Sequence, residues 1–126
     1  MPTGYSYLYK KTKGFEEHAL SSMETITDVI QWGREKELCD PKAQLNKVIE
    51  EVGEVAHEIC RNRIDGPNLM DGIGDVLVTV LILADICGMD PMQCLELAYS
   101  EIKDRKGLTS NGTFIKEDGG EADSNV

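Results

Sequence analysis

The run Val76-Leu77-Val78-Thr79-Val80-Leu81-Ile82-Leu83-Ala84 constrains the fold of this chain more than any other stretch. Wound as a helix it is apolar on nearly all sides, and such a helix must be covered on more than one face. It is too short to span a bilayer, which needs about 20 residues, and Thr79 and Asp85 interrupt its region. A buried core helix accounts for it. A domain of three or four helices does not easily cover that helix alone, so the run predicts a homodimer or tetramer with this helix in the interface or central core.

The stretch 47–58, Lys47-Val48-Ile49-Glu50-Glu51-Val52-Gly53-Glu54-Val55-Ala56-His57-Glu58, adds the chemistry. Its apolar residues recur at threes and fours, the period of an amphipathic helix. Glu50, Glu51, Glu54 and Glu58 fall beside that stripe. Like charges at this spacing repel by a few tenths of a kcal/mol, and a divalent cation is the simplest group to offset it. A second acidic pair, Asp71 and Asp75, is also four apart and opens the apolar run. Solvated helix faces are the plain alternative for such clusters. A carboxylate entering a core, however, must be paired, hydrogen-bonded or metal-bound.

Glu50-Glu51-x-x-Glu54, followed after a gap by Gly74-Asp75-Val76-Leu77, resembles the MazG-type, all-α nucleoside triphosphate pyrophosphohydrolases. Their pattern is E-E-x-x-E and then E-x-x-D. The resemblance spans residues 23–107 and is sharpest over 47–88. It implies an all-α, four-helix bundle-like, oligomeric domain. It implies hydrolysis of a ribo- or deoxyribonucleoside triphosphate between the α- and β-phosphates, giving the monophosphate and pyrophosphate. Glu51, Glu54 and Asp75 are then metal ligands, and Glu50 is a further ligand or the base that takes a proton from water. In the family an aromatic on the first helix stacks on the base, which makes Trp32 a candidate. Basic residues near the end of the domain make Lys103 and Lys106 candidates for the triphosphate. One departure stands out: the first acid of E-x-x-D falls on Gly72, and the adjacent Asp71 is the candidate substitute.

An all-oxygen cluster suits Mg²⁺, with Mn²⁺ as the alternative, rather than zinc or copper. No Cys or His pair has zinc-ligand spacing. Glu54-x-x-His57 matches half of a di-iron carboxylate site, but the chain has a single such motif where two are needed. A non-catalytic nucleotide-binding or assembly protein on the same fold is the other alternative, and the missing acid at Gly72 is its best argument.

The 126 residues fit one domain, and the net charge of −10 opposes binding to nucleic acid or anionic membranes. Four cysteines without a C-x-x-C pair, and no signal segment at the start, point to a reducing cytoplasm. Residues 1–20 read as an N-terminal arm, with Tyr5, Tyr7 and Tyr9 alternating. Residues 21–107 read as the helical domain. Ser21 and Glu24 form a capping-box pattern for a first helix to about Glu37, with Ile26, Val29, Ile30 and Gly33 on its inner face. Asp40-Pro41 and Asp90-Pro91 each read as an N-cap followed by Pro at the first helical position. A helix starting near Pro67 ends at Gly88. Lys47 reads either as an ion-pair partner of Glu51 one turn on, or as a phosphate contact. The Lys103-Asp104-Arg105-Lys106 cluster complements a helix C-terminus or clamps a triphosphate. Residues 108–126 form a tail in which Asn111-Gly112 predicts a small hairpin, followed by a disordered acidic end.

Overall fold

The computed structural model describes residues 14–117. Four helices run in order among them: α1 (Gly14–Glu35), α2 (Pro41–Cys60), α3 (Pro67–Ile86) and α4 (Pro91–Ile102). A hairpin of β1 (Gly107–Ser110) and β2 (Thr113–Lys116) follows. The described residues are all-α apart from that hairpin. It divides into two compact units, Met1–Met89 and Asp90–Val126.

The two Asp-Pro signals act as expected. Asp40 Oδ1 accepts the Lys42 and Ala43 N–H groups at 2.9 and 3.4 Å, and Asp90 Oδ1 accepts that of Met92 at 2.8 Å. Each bond satisfies an N–H that the first helical turn leaves without a partner. The expected cap at Ser21 is corrected. The α1 helix begins seven residues earlier, at Gly14, and the Ser21 carbonyl accepts the Thr25 hydroxyl at 3.0 Å from inside it. Glu16 and Glu17 lie in its first turn, where the helix dipole favours acids. A capping box works only where the chain leaves the helix on its N-terminal side, and here helix precedes it. The tyrosine alternation, and all but the first residue of the expected disordered end, lie outside the described residues.

The three described helices of the first unit end alike. In each, a residue with positive φ follows the helix, and two backbone N–H groups reach back into the last turn. Gly88 (φ 76°) donates to the Asp85 carbonyl and Met89 to that of Ala84, both at 2.9 Å. Asn62 (φ 58°) and Arg63 close α2, and Glu37 (φ 59°) and Leu38 close α1. Gly and Asn are common at this position; Glu is not, because its Cβ crowds the carbonyl in the left-handed region.

Two contacts set the direction of α2 against α3. Gln44 meets Thr79, and Val55 meets Gly72, so the numbers rise on one helix as they fall on the other and the pair is antiparallel. A Cβ on Gly72 would come within 3.2 Å of Val55 Cγ2. Gly72 therefore lets the two helices approach closely. Helix α1 crosses α3 at Gly33, where a Cβ would meet Ile82 Cγ1 at 3.1 Å. Few apolar side chains are fully covered. Among the described residues, only Leu69 (9% exposed) and Ile82 (3%) are buried hydrophobics.

In the second unit, Asn111 and Gly112 (φ 51° and 78°) turn β1 into β2, with Leu108 opposite Ile115 and Thr109 opposite Phe114. Two consecutive positive φ values are what a two-residue hairpin turn with right-twisting strands requires.

Candidate active site

On α2, the residues shielded from solvent are Gln44, Val48, Glu51, Val55 and Glu58, spaced four, three, four, three. They form the seam against α3. Across it lie Leu69, Gly72, Val76 and Thr79. One residue before the seam come Glu50, Glu54 and His57 on α2, and Asn68, Asp71, Asp75 and Val78 on α3. One residue after it come Leu45, Ile49, Val52 and Ile59, and Met70, Ile73, Leu77 and Val80, all exposed. Each step turns a helix by about 100°. Because the helices are antiparallel, the same step turns both toward the same side. The α2–α3 layer thus has an acidic side and an apolar side.

On the acidic side two cavities flank Asp75. The larger, about 550 Å³, is walled by α1, α2 and α3 and holds Trp32, Gln44, Lys47, Glu51, Asp75 and Thr79 among its lining. The smaller, about 360 Å³, is lined by Glu54, His57, Glu58, Asn68, Asp71, Gly72 and Asp75. Asp75 belongs to both. Glu51 and Asp75 therefore share one cavity, and Glu54, Asp71 and Asp75 the other.

Glu51 is the most perturbed of these acids. Its Oε2 is shielded from solvent and has no hydrogen-bond partner. Burial, and then the charges of Glu54 and Asp75, push its carboxyl above the usual range, with Lys47 opposing them. A shielded carboxylate oxygen with no donor, in the field of two further acids, is what a cation site needs. That observation, with the all-oxygen chemistry of the acids, fits a hard divalent cation. Among the described residues, no three acidic, histidine or cysteine side chains converge closely enough to hold an ion as they stand.

Glu50 lines neither cavity, and its Oε1 accepts from Lys47 Nζ at 3.2 Å. The sequence reading paired Lys47 with Glu51. The structure pairs it with Glu50, three residues on instead of four, because Glu51 is committed to the seam. Lys47 still lines the larger cavity beside Glu51. Trp32 is 48% exposed and lines the same cavity, with Lys36 Nζ 5.9 Å from its ring centroid. Lys103 and Lys106 belong to the second unit, Lys103 at the C-cap of α4 and Lys106 beside the hairpin.

Sequence reasoning passed over Gln44 and Thr79, each 7% exposed, which lie on the floor of the larger cavity. His57, weighed in the sequence only as half of a di-iron motif, is exposed and lines the smaller cavity. The seam period was the available signal. Gln44 stands seven residues before Glu51, and His57 stands in the same phase as Glu50 and Glu54.

The family model of the MazG nucleotide pyrophosphohydrolase domain matches residues 39–105, more than half of the chain. The protein belongs to the MazG family. The MazG match takes in α2, α3 and α4 and every candidate carboxylate. Trp32 and the rest of α1 precede it, and Lys106 follows it by one residue. No curated protein and no solved structure matches the chain significantly.

Proposed function

We propose that this MazG protein hydrolyses nucleoside triphosphates, ribo- or deoxyribo-, to the monophosphate and pyrophosphate with Mg²⁺, or Mn²⁺ in its place. The observation that carries this reading is the shielded, unpartnered Oε2 of Glu51 beside Asp75. Glu51, Glu54 and Asp75 are the ligands in this reading, and Asp71, in the same cavity as Glu54 and Asp75, takes the role that Gly72 leaves open. An ion held there would supply neutralisation of phosphate charge and acidification of a water. Glu50 lines neither cavity and is hydrogen-bonded to Lys47, so in this reading it would have to leave Lys47 to accept a proton or to complete the ligand set. Lys47 offers its ammonium to a phosphate oxygen. Trp32 stacks on the base from the flank of the larger cavity. The roles of Lys103 and Lys106 at the triphosphate rest on the family resemblance. The test is a screen of the common ribo- and deoxyribonucleoside triphosphates with Mg²⁺, scored for pyrophosphate. Release that stops on adding a chelator is expected; no release from any of them sinks the reading. Nucleotide binding should also quench the fluorescence of Trp32, the single tryptophan.

The acting unit in this proposal is a homodimer or tetramer. With two buried apolar side chains among the described residues, the chain alone has little core. The apolar side of the α2–α3 layer supplies what is missing when it packs on its own copy. The exposed, unpaired cysteines suit a cytoplasmic setting. No single described helix is long and apolar enough to cross a membrane. The surface charge leaves nucleic acid outside the proposed partners.

A second reading has a specific observation behind it. Gly72 packs against Val55 and carries no carboxylate where the family pattern has one. A nucleotide-binding or assembly protein without catalysis needs no acid there. Nucleotide binding without pyrophosphate release would select that reading.

A further inference from the structure

The larger cavity has two chemically unlike ends. Glu51, Asp75 and Lys47 mark one, and Gln44 and Thr79 form the floor of the other. Gln44 precedes Glu51 by seven residues, about 10 Å along the helix axis, a span comparable with a nucleoside. A base carried into the Gln44 end leaves water, so its polar edge needs protein partners. Leu38, Ala43, Val78 and Ile82 have no polar side-chain atom to offer there, and the carboxylates of Glu37 and Asp40, which also line the cavity, do not offer a donor beside an acceptor. Gln44 does.

Gln44 Nε2 donates to the Thr79 carbonyl at 3.1 Å. That bond uses one N–H and fixes which way the amide faces. The second N–H and Oε1 remain as a neighbouring donor and acceptor in one set order. The Thr79 hydroxyl donates to the Val76 carbonyl at 2.9 Å, so its oxygen is left to accept.

We infer that Gln44 reads the base of the nucleotide and separates amino bases from oxo bases. Adenine and cytosine carry an exocyclic donor beside a ring acceptor. Guanine, uracil and thymine carry an exocyclic acceptor beside a ring donor. An amide held in one orientation matches one of these orders and sets donor against donor, and acceptor against acceptor, in the other. The inference rests on the nucleotide reading of this cavity. Gln44 acts as a specificity residue and takes no part in phosphate chemistry.

The test is calorimetric binding of AMP, GMP, CMP and UMP to the full chain and to its Gln44→Met variant. Monophosphates carry the base without requiring hydrolysis. The wild type should separate AMP from GMP, and CMP from UMP, in the same sense and by about tenfold. Gln44→Met, similar in size and without the amide, should bring both ratios to within about twofold. A purely structural role for Gln44 would weaken all four ligands alike and leave the ratios unchanged. Unchanged ratios, equal wild-type affinities, opposite senses in the two pairs, or no binding would each overturn the inference. If Gln44→Met does not fold, the Gln44 side-chain amide resonances of the wild type decide. They should shift with the preferred monophosphates, and an absence of shift overturns the inference. Selectivity without pyrophosphate release would defeat the hydrolase reading and leave this one standing. An active hydrolase without selectivity would do the reverse.

Discussion

Arg34 grips Asp85 with two hydrogen bonds, from Nη2 to Oδ1 at 2.6 Å and from Nε to Oδ2 at 2.9 Å. The pair ties the end of α1 to the end of α3, next to the close contact of Gly33 with Ile82. Without it, the α1 wall of the larger cavity loses its polar anchor. The hydrogen bond from Arg34 holds the Asp85 carboxyl below its ordinary range. An acid with a depressed folded pKa stabilises above its unfolded value, and that stability is lost as the pH falls through the folded value. Asp85→Asn should therefore lower the melting temperature by a few degrees at pH 7. The gap to wild type should narrow below about pH 4. Arg34 is 64% exposed, so salt should narrow it too. Melting curves at pH 7 and pH 3, in low and high salt, check this; a gap indifferent to pH would contradict it.

Glu51 runs the opposite way. Its folded pKa is raised, first by burial and then by Glu54 and Asp75. An acid raised in the folded state contributes stability only while protonated, and this is lost as the pH rises through the folded value. Glu51→Gln removes that penalty, so the variant should melt at or above the wild-type temperature at pH 7. The difference should vanish below about pH 4. Pyrophosphate release should fall by at least about a hundredfold. Mg²⁺ should raise the melting temperature of the wild type and leave the variant unmoved. Retained activity in Glu51→Gln would remove Glu51 from the site.

Asp71→Asn should reduce activity as much as Asp75→Asn, because both line the cavity that holds Glu54. Restoring the family's acid by Gly72→Glu in the Asp71→Asn background meets an obstacle, since its Cβ falls 3.2 Å from Val55 Cγ2. Overpacking of this kind typically destabilises by about 1–3 kcal/mol. Rescue should need Val55→Ala as well. Steady-state rates and melting curves of the single, double and triple variants decide the matter. A silent Asp71→Asn would leave the site one ligand short of the family pattern.

The apolar side predicts assembly. Leu77→Glu or Ile49→Glu, on residues 59% and 60% exposed in the single chain, should shift the protein to a smaller species in sedimentation at micromolar concentration. A wild type that sediments as a well-folded monomer would defeat the proposal before any variant is made.

Much of this arrangement was legible because it depends on local chemistry. Asp40-Pro41 and Asp90-Pro91 mark helix starts through a side-chain acceptor and a ring that fixes φ. Asn111-Gly112 marks a hairpin turn through two residues that tolerate positive φ. The spacing of the carboxylates placed them on shared helix faces, and Glu51 and Asp75 do share a cavity. What escaped depends on tertiary context. Ser21 carries the pattern of a cap but lies inside α1. Glu37 ends that helix in a conformation its residue type disfavours. Lys47 turns to Glu50 because packing has already claimed Glu51. Gln44 reads as one more polar residue until the seam buries it and leaves its amide a single anchored orientation.

The seam, the acidic side and the apolar side of α2 are three phases of one seven-residue period. An insertion of a single residue between Gln44 and Glu50 would rotate everything beyond it by about 100°. Glu50 would enter the seam in place of Glu51, Gly53 would arrive where Glu54 faces the smaller cavity, and Glu51 would intrude on the apolar side. On the proposed reading, the chemistry and the assembly surface would fail together, although no residue type had changed. A seven-residue insertion would restore the phase but carry Glu51 about 10 Å along the axis from Asp75, so on the proposed reading this helix should tolerate hardly any change of length.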